Sequence, residues 1–169
     1  IGTGVWKPNK LNIKGESLGN VHFAIDYLKN PEVYDLGDKV CVIGAGNVGM
    51  DVARTALRKG SKEVYIMYRK GIEDMPATEY EIDYAKVDGV KFELYKTPIE
   101  LKKEGIKYVE TKKEEDGEKV KFIEVENSEG FFECDSIIVA VSQGPKSNII
   151  ATTKGINIDN KGLVLVDEQ

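Results

Sequence analysis

A glycine-rich stretch in the first third of the chain has the residue types and spacing that bind a dinucleotide. Gly44, Gly46 and Gly49 form the pattern G-x-G-x-x-G, with Asn47 and Val48 inside it. The first glycine permits a tight turn, the second lets the backbone approach a pyrophosphate, and the third lets a helix pack on a strand. Free N–H groups and the positive end of a helix dipole would then hold the phosphates. We therefore predict that these five residues bind a dinucleotide cofactor.

The surroundings of the motif decide how specific it is. An apolar run at 39–43 predicts a strand directly before it, and small residues at helical spacing predict a helix over 47–59. A P-loop is excluded, because Met50 stands where that motif requires a lysine. The alternative interpretation is a glycine turn with a purely structural role.

Two cations occupy the position that selects between NAD and NADP. NAD-binding folds commonly place an acid about 20 residues after the glycine loop, at the end of the second strand. This chain has Arg69 and Lys70 there. Because a guanidinium and an ammonium attract the 2′-phosphate that a carboxylate would repel, they favour NADP(H). In the alternative interpretation they are surface cations that pair with Glu73 and Asp74.

A third candidate group follows the predicted strand 136–141. Ser142, Gln143 and Gly144 come where ligands bind in open α/β sheets, at the carboxyl edge. Gly144 would allow close backbone approach, and Gln143 offers donors and acceptors for the nicotinamide half of a cofactor or its ribose. A plain strand-ending turn is the alternative.

Other candidate chemistry is sparse. His22 falls in a predicted helix without a motif around it, and the Y-x-x-x-K of Tyr108 and Lys112 falls in a predicted strand, where that spacing cannot work as it does on a helix. Cys41 and Cys134 are predicted to be buried core thiols of a cytosolic protein. We predict no catalytic side chain and no metal site in this chain.

The elements that must position these residues alternate along the chain. The N-terminal part predicts one short helix from the spacing of apolar residues over 21–28, ended by Asn30-Pro31. Beyond it, the patterns predict strands at 39–43, 63–68, 90–95 and 136–141 and helices at 47–59 and 76–87, with a three-stranded antiparallel meander at 106–112, 120–126 and 130–135. The predicted fold is α/β, a Rossmann-like parallel sheet with an antiparallel β-meander crossover. We divide the chain into a connector (1–37), a nucleotide-binding domain (38–150) and a C-terminal hairpin (151–169).

Length and charge exclude several classes of protein. The chain has 169 residues, 41% of them hydrophobic, and a net charge of −5. This acidic excess argues against nucleic acid as a partner. The longest uncharged stretch, 40–50, is far shorter than the ~20 apolar residues that span a bilayer. We expect a cytoplasmic protein with no membrane or nucleic-acid partner.

With these motifs in place, the sequence resembles the NAD(P)H-binding domain of flavoproteins related to the glutamate synthase small (beta) subunit. The resemblance covers nearly the whole chain. It rests on Gly2-Thr3-Gly4, L-N-I-K-G-E at 11–16, Gly46-Asn47, M-D-V-A-R at 50–54, Tyr68-Arg69, Met75-Pro76-Ala77, Gly89-Val90 and 135–145. The family often has Arg-Arg where this chain has Arg69-Lys70, and usually glycine where this chain has Ser142.

The resemblance implies a cofactor pair and a set of partners. In such proteins the NAD(P)H domain is inserted in an FAD domain, so we expect the FAD-binding parts of the same polypeptide to lie outside residues 1–169. The complete protein would pass a hydride from NADPH to FAD, with an iron–sulfur or large catalytic subunit as a possible partner. The alternative is a non-catalytic nucleotide-binding or regulatory Rossmann module.

Overall fold

A five-stranded parallel sheet forms the centre of the protein. The computed structural model describes residues 7–116 and 119–144, together with Asn157 and Leu165. Its strands are β1 (Lys7–Pro8), β2 (Val21–Phe23), β3 (Lys39–Ile43), β4 (Glu63–Tyr68), β5 (Lys91–Leu94), β6 (Lys96–Lys102), β7 (Gly105–Asp116), β8 (Lys119–Glu124), β9 (Gly130–Glu133), β10 (Ser136–Val139) and β11 (Gln143–Gly144). The helices are α1 (Ala24–Lys29), α2 (Asn47–Arg58) and α3 (Glu79–Asp88).

The order of the central sheet is β2-β10-β3-β4-β5, and every neighbouring pair is parallel. The predicted strands at 39–43 and 63–68 are confirmed residue for residue. The third and fourth predicted strands are confirmed with shorter bounds. The α/β class and its Rossmann-like parallel sheet are therefore confirmed.

The two faces of this sheet are covered by different layers. Val40 and Val42 pack with α1, α2 and α3 in one apolar cluster. Cys41 and Ile43, which point the other way, pack with Leu101 and other side chains of the antiparallel strands. The parallel sheet is thus buried on both sides, which explains why β3 is apolar at four consecutive positions.

The helix after the glycine loop forms as predicted. The small residues of α2, from Gly49 to Ala56, are buried against the sheet. Gly60, with φ +112°, follows the helix in the left-handed conformation that glycine tolerates best.

The next helix begins three residues later than predicted. The backbone N–H of Ala77 donates to the carbonyl of Ala45 at 3.2 Å, so this residue is bonded to the glycine loop before α3 begins. Thr78 is the N-cap, and its side chain accepts from the backbone of Glu81 at 3.4 Å. The start that we predicted at Pro76 is therefore wrong, while the predicted end at 87 is confirmed to within one residue.

The predicted N-terminal helix is half strand. Val21 to Phe23 form β2, in which Val21 lies opposite Ile137 of β10, and α1 begins only at Ala24. His22 therefore lies in a strand rather than in the predicted helix. The burial of Val21 at helical spacing misled the prediction, since an edge strand buries the same residue.

The antiparallel crossover is present but differs in detail from a three-stranded meander. It has four strands, because β6 precedes the three that were predicted. Moreover, β8 and β9 pair with successive halves of β7, as the registers Thr111↔Glu124 and Tyr108↔Gly130 show. The turn residues at 127–130 therefore form a loop between two strands that run in the same direction along β7, rather than reversing the chain.

The two short strands β1 and β11 pair with each other near the end of β10. The predicted hairpin at 159–162 falls outside the described residues. Within the described ranges, none of the helices combines the length and the apolar character needed to cross a membrane.

Candidate dinucleotide-binding site

A cleft of about 850 Å³ lies at the carboxyl ends of β3, β4 and β10. One wall is the glycine loop, and the opposite wall comes from the antiparallel sheet. Most of the residues predicted to bind cofactor line it, namely Gly44, Gly46, Asn47, Val48, Arg69, Lys70 and Ser142. Three separate segments of the sequence therefore meet at one cavity.

The outer two glycines of the loop are required by the fold itself. Gly44 has φ +119°, and a Cβ built there would lie 2.5 Å from the carbonyl oxygen of Ala140. A Cβ on Gly49 would collide with the carbonyl oxygen of Gly44. The turn and the packing of α2 on it thus leave no space for side chains at these two positions.

Gly46 has a different environment. The nearest atom to a Cβ built on it would be Cγ of Pro76, 4.0 Å away, and Gly46 itself lines the cleft. No side chain caps the N-terminus of α2, so the first N–H groups of the helix lack a side-chain acceptor. The loop therefore offers an open cradle and backbone donors, which fits the pyrophosphate of a dinucleotide.

The residues directly before α3 form hydrogen bonds with the glycine loop. Oδ1 of Asn47 accepts a hydrogen bond from the backbone of Thr78 at 2.9 Å, next to the bond between Ala77 and Ala45. Pro76, which directly precedes these two residues, lines the cleft. The Asn47 side chain is thus used to fix the loop to its neighbour.

The two cations after β4 are available to a ligand. The side chain of Arg69 is exposed, and among the side chains described at 7–114 and 120–144 its guanidinium has no ion-pair or hydrogen-bond partner. Glu73, its predicted alternative partner, accepts instead from the hydroxyl of Tyr95 at 3.2 Å. The ammonium of Lys70 lies 5.0 Å from the ring centroid of Phe122 on β8.

The backbone that carries these cations is bound by Thr111 of β7 and by Tyr95, which lies between β5 and β6. The buried hydroxyl of Thr111 donates to the carbonyl of Arg69 at 2.5 Å. The backbone N–H of Tyr95, a residue with φ +56°, donates to the carbonyl of Lys70 at 3.3 Å. Both residues are therefore fixed by contacts made far away in the sequence.

Ser142, Gln143 and Gly144, the third predicted group, do not all line the main cleft. Ser142, with φ +72°, lines the cleft, and its carbonyl accepts from the backbone of Asn9 at 3.3 Å. Gln143 instead lines a neighbouring cavity of about 230 Å³ beside α1, and Gly144 lies opposite Lys7 in the pairing of β11 with β1. The structure brings neither of these two residues into the main cleft.

Sequence reasoning missed the wall opposite the glycine loop. Lys96, Thr97 and Pro98 of β6 line the cleft, as does Glu124 of β8. Burial lowers the pKa of Lys96, but its hydrogen bond to Glu93 and the charge of that carboxylate outweigh burial, so the pKa is raised overall. Lys96 is therefore a fixed cation on this wall. Only the pairing of β6 with β7 brings it there, and no local pattern indicates this.

The other reactive side chains have structural surroundings. Both cysteines are buried and unpaired, and burial raises the pKa of Cys134 to about 12. In the described parts of the chain, no group of three or more His, Cys, Asp or Glu residues could hold a metal ion. Tyr108 lies in β7, as does Lys112, as predicted.

Fold and site together define a Rossmann-type domain of the kind found in pyridine-nucleotide oxidoreductases. The model of the pyridine nucleotide-disulphide oxidoreductase family matches residues 1–169, and the chain belongs to that family.

Two curated relatives are similar over almost all of this chain. The glutamate synthase [NADPH] small chain of Halomonas elongata is 32% identical over 189 residues, a match that covers 100% of this chain and 40% of that protein. The NADPH-Fe(3+) oxidoreductase subunit beta of Geobacter sulfurreducens is 32% identical over 174 residues, covering 94% of this chain and 26% of that protein. The chain thus spans well under half the length of these relatives.

Solved structures share the fold. Mycobacterium tuberculosis FprA in complex with NADPH has a TM-score of 0.71 and 20% identity, over 92% of this chain and 51% of that one. Thioredoxin reductase of T. acidophilum has a TM-score of 0.66 and 19% identity, over 95% and 49%.

Proposed function

We propose that this chain binds NADP(H) and that, within a longer polypeptide, it presents NADPH to FAD for hydride transfer. The observation that carries the proposal is the shared cleft. The open cradle at Gly46 and the exposed Arg69 line one cavity, so a pyrophosphate and a 2′-phosphate of the same dinucleotide could both be bound there. The names of the curated relatives, which include NADPH, support the same cofactor.

Each group of residues has a proposed role in binding. Gly44, Gly46, Asn47, Val48 and Gly49 form the loop and helix start that take the pyrophosphate, and Arg69 and Lys70 take the 2′-phosphate. Ser142 borders the other end of the cleft, where we place the nicotinamide ribose, with Gln143 and Gly144 behind it. When both cofactors are bound, NADPH supplies the hydride and FAD accepts it, while this chain binds and orients the nicotinamide cofactor.

We propose that this chain is one unit of a larger flavoprotein. We assign the NADP(H)-binding unit to 38–150, with β2 and α1 of the preceding segment adding to its sheet. We propose that the FAD-binding domain belongs to the same polypeptide, because the matched relatives are more than twice as long as this chain. An iron–sulfur or large catalytic subunit is a proposed partner, since relatives carry the names small chain and subunit beta.

Replacing Arg69 tests the cofactor. We expect Arg69→Ala to weaken NADPH binding by roughly 10- to 150-fold, because a charge-assisted hydrogen bond contributes about 1.5–3 kcal/mol. NADH binding should change little, since NADH lacks the 2′-phosphate. Calorimetric titration of both cofactors measures the two affinities.

The matched control is Arg58→Ala. Arg58 is also an exposed arginine, but it pairs with Asp88 at 2.8 Å and does not line the cleft. Its replacement should leave both affinities unchanged. Equal affinities of the wild-type chain for NADPH and NADH would contradict the proposed preference.

A further inference from the structure

Lys70 contacts an aromatic ring that belongs to the antiparallel sheet. Its ammonium lies 5.0 Å from the centroid of Phe122, within the range of a cation–π interaction. We propose that Phe122 is a positioning residue for cofactor choice, which holds the Lys70 ammonium where it meets the 2′-phosphate. This inference rests on the proposed function.

The direction of the Phe122 side chain follows from the strand that carries it. Glu124, two residues further along β8, lines the cleft. Because residues two apart on a strand lie on the same face, Phe122 is on the face of β8 that is directed at the cleft. The ring therefore contacts Lys70 from the wall opposite the glycine loop.

The backbone of the cation pair is already fixed, so the side chain of Lys70 is the part left to position. Thr111 binds the carbonyl of Arg69, and Tyr95 binds the carbonyl of Lys70. The ammonium, however, stands on a flexible four-carbon stem. Contact with a ring restricts that stem before any ligand arrives, which lowers the entropy lost on binding.

A ring is also better suited to this task than a carboxylate. Glu124 lines the same cleft, yet Lys70 forms no ion pair with it or with any other acid among the side chains described at 7–114 and 120–144. A carboxylate partner would neutralise the ammonium and compete with a phosphate, whereas an aromatic face attracts the ammonium without cancelling its charge. Phe122 thus orients Lys70 and leaves its charge for the ligand.

The test uses the 169-residue chain and calorimetric titration with NADPH and with NADH. We expect Phe122→Leu to weaken NADPH binding about two- to fivefold and to leave NADH binding unchanged. Phe122→Tyr, which keeps an aromatic face, should restore wild-type affinity. In a Lys70→Ala background, Phe122→Leu should have no further effect, because the group that it positions is gone.

Phe131→Leu is the matched control. Phe131 lies on β9 of the same sheet, is 45% exposed and does not line the cleft, so both affinities should be retained. Circular dichroism of each variant checks the fold.

Two results would overturn the inference while leaving the proposed function intact. One is a wild-type chain that prefers NADPH and keeps the same preference in Phe122→Leu. The other is a loss in Phe122→Leu that is equal for both cofactors or that persists in the Lys70→Ala background. A wild-type chain that binds neither cofactor would instead refute the proposed function, and this inference with it.

Discussion

At the scale of single residues, the glycines of the loop differ in what a side chain would meet. At Gly44 and Gly49 it would collide with backbone, whereas at Gly46 it would enter the cleft. We therefore expect Gly46→Val to abolish NADPH binding while the fold is retained, because the valine would fill the space of the pyrophosphate. Titration with NADPH, together with circular dichroism, measures both effects.

Two other glycines control this experiment. Gly19 also has open space around it and an ordinary backbone conformation, so Gly19→Val should bind NADPH like the wild type. Gly49→Val should instead lose stability, because its side chain has no room beside Gly44. Unchanged affinity in a natively folded Gly46→Val variant would refute the role of Gly46.

Some residues of the cleft could be predicted because a local sequence pattern indicates them. The glycine loop and the Arg69-Lys70 pair follow directly from neighbouring strands, so their position at the sheet edge could be predicted. Lys96 and Glu124 could not be found, because strand pairing within the antiparallel sheet brings them to the cleft. Gln143 lines a neighbouring cavity rather than the main cleft, and this position could not be predicted because it depends on the pairing of β11 with β1.

At the scale of elements, an arginine cluster joins the two helices that follow the glycine loop. Nε of Arg54 and Nη2 of Arg58, both on α2, each donate at 2.8 Å to Oδ2 of Asp88 at the end of α3. Nη1 of Arg54 also donates to Glu81 at 3.2 Å. Two of the three arginines of the chain are therefore structural, and Arg69 alone faces the cleft.

This cluster predicts a dependence of stability on pH. The hydrogen bond from Arg54, together with the charge of Arg58, lowers the pKa of Asp88 from its ordinary value of 3.8. Because the pKa is lower in the folded protein, the stabilisation is present above 3.8 and is lost as the pH falls through the folded value. We expect Asp88→Asn to be less stable than the wild type at pH 7, and this difference to shrink below pH 3.8.

Urea unfolding at a series of pH values measures the effect. Asp83→Asn is the control, since Asp83 is an exposed acid on the same helix and its ion pair is with Lys86 of α3 itself. Its free energy of unfolding should follow the wild type at each pH. A constant difference between Asp88→Asn and the wild type from pH 7 to pH 3 would contradict the prediction.

Element boundaries show where local pattern stops being sufficient. β3, β4 and α2 were predicted closely, because a doubly buried strand and a small-residue helix face are strong local signals. Residues 21–23 were predicted as helix, since burial against β10 produces apolar positions that also fit helical spacing. β6 was missed because it contains Pro98 and is bounded by charges, although only Lys103 and Glu104 separate it from its pairing partner β7.

At the scale of the whole molecule, the cleft lies between layers that have different functions. The parallel sheet and α2 provide the dinucleotide loop. The antiparallel sheet provides the opposite wall, and Thr111 of β7 and Tyr95, which directly precedes β6, bind the backbone of Arg69 and Lys70. Removing the antiparallel sheet would therefore leave a Rossmann core without contacts that fix Arg69 and Lys70. The crossover is thus part of the proposed binding site as well as a connection between strands.

The same arrangement limits what the chain can do alone. Its 169 residues contain one G-x-G-x-x-G motif, and that motif lies on the cleft assigned to NADP(H). We expect the purified chain to bind NADPH, to be colourless and to show no NADPH oxidation with dye acceptors. No side chain of the chain can accept a hydride, so nothing would take it from the nicotinamide. Added free FAD should restore little activity, because positioning of the two rings provides most of the rate.

Absorbance spectra and a dye-reduction assay, run on the preparation that is titrated with NADPH, test this expectation. The titration is the internal control, since a chain that binds NADPH is folded at the site. If such a chain does not reduce the dye, the reason is that it holds no hydride acceptor. A yellow preparation with a flavin absorbance band, or dye reduction by the chain alone at about 1 s⁻¹ or faster, would show that residues 1–169 hold a flavin themselves. In that case a second cofactor would have to bind outside the glycine loop. The proposal that this chain binds NADPH while another part of the polypeptide binds FAD would then be wrong.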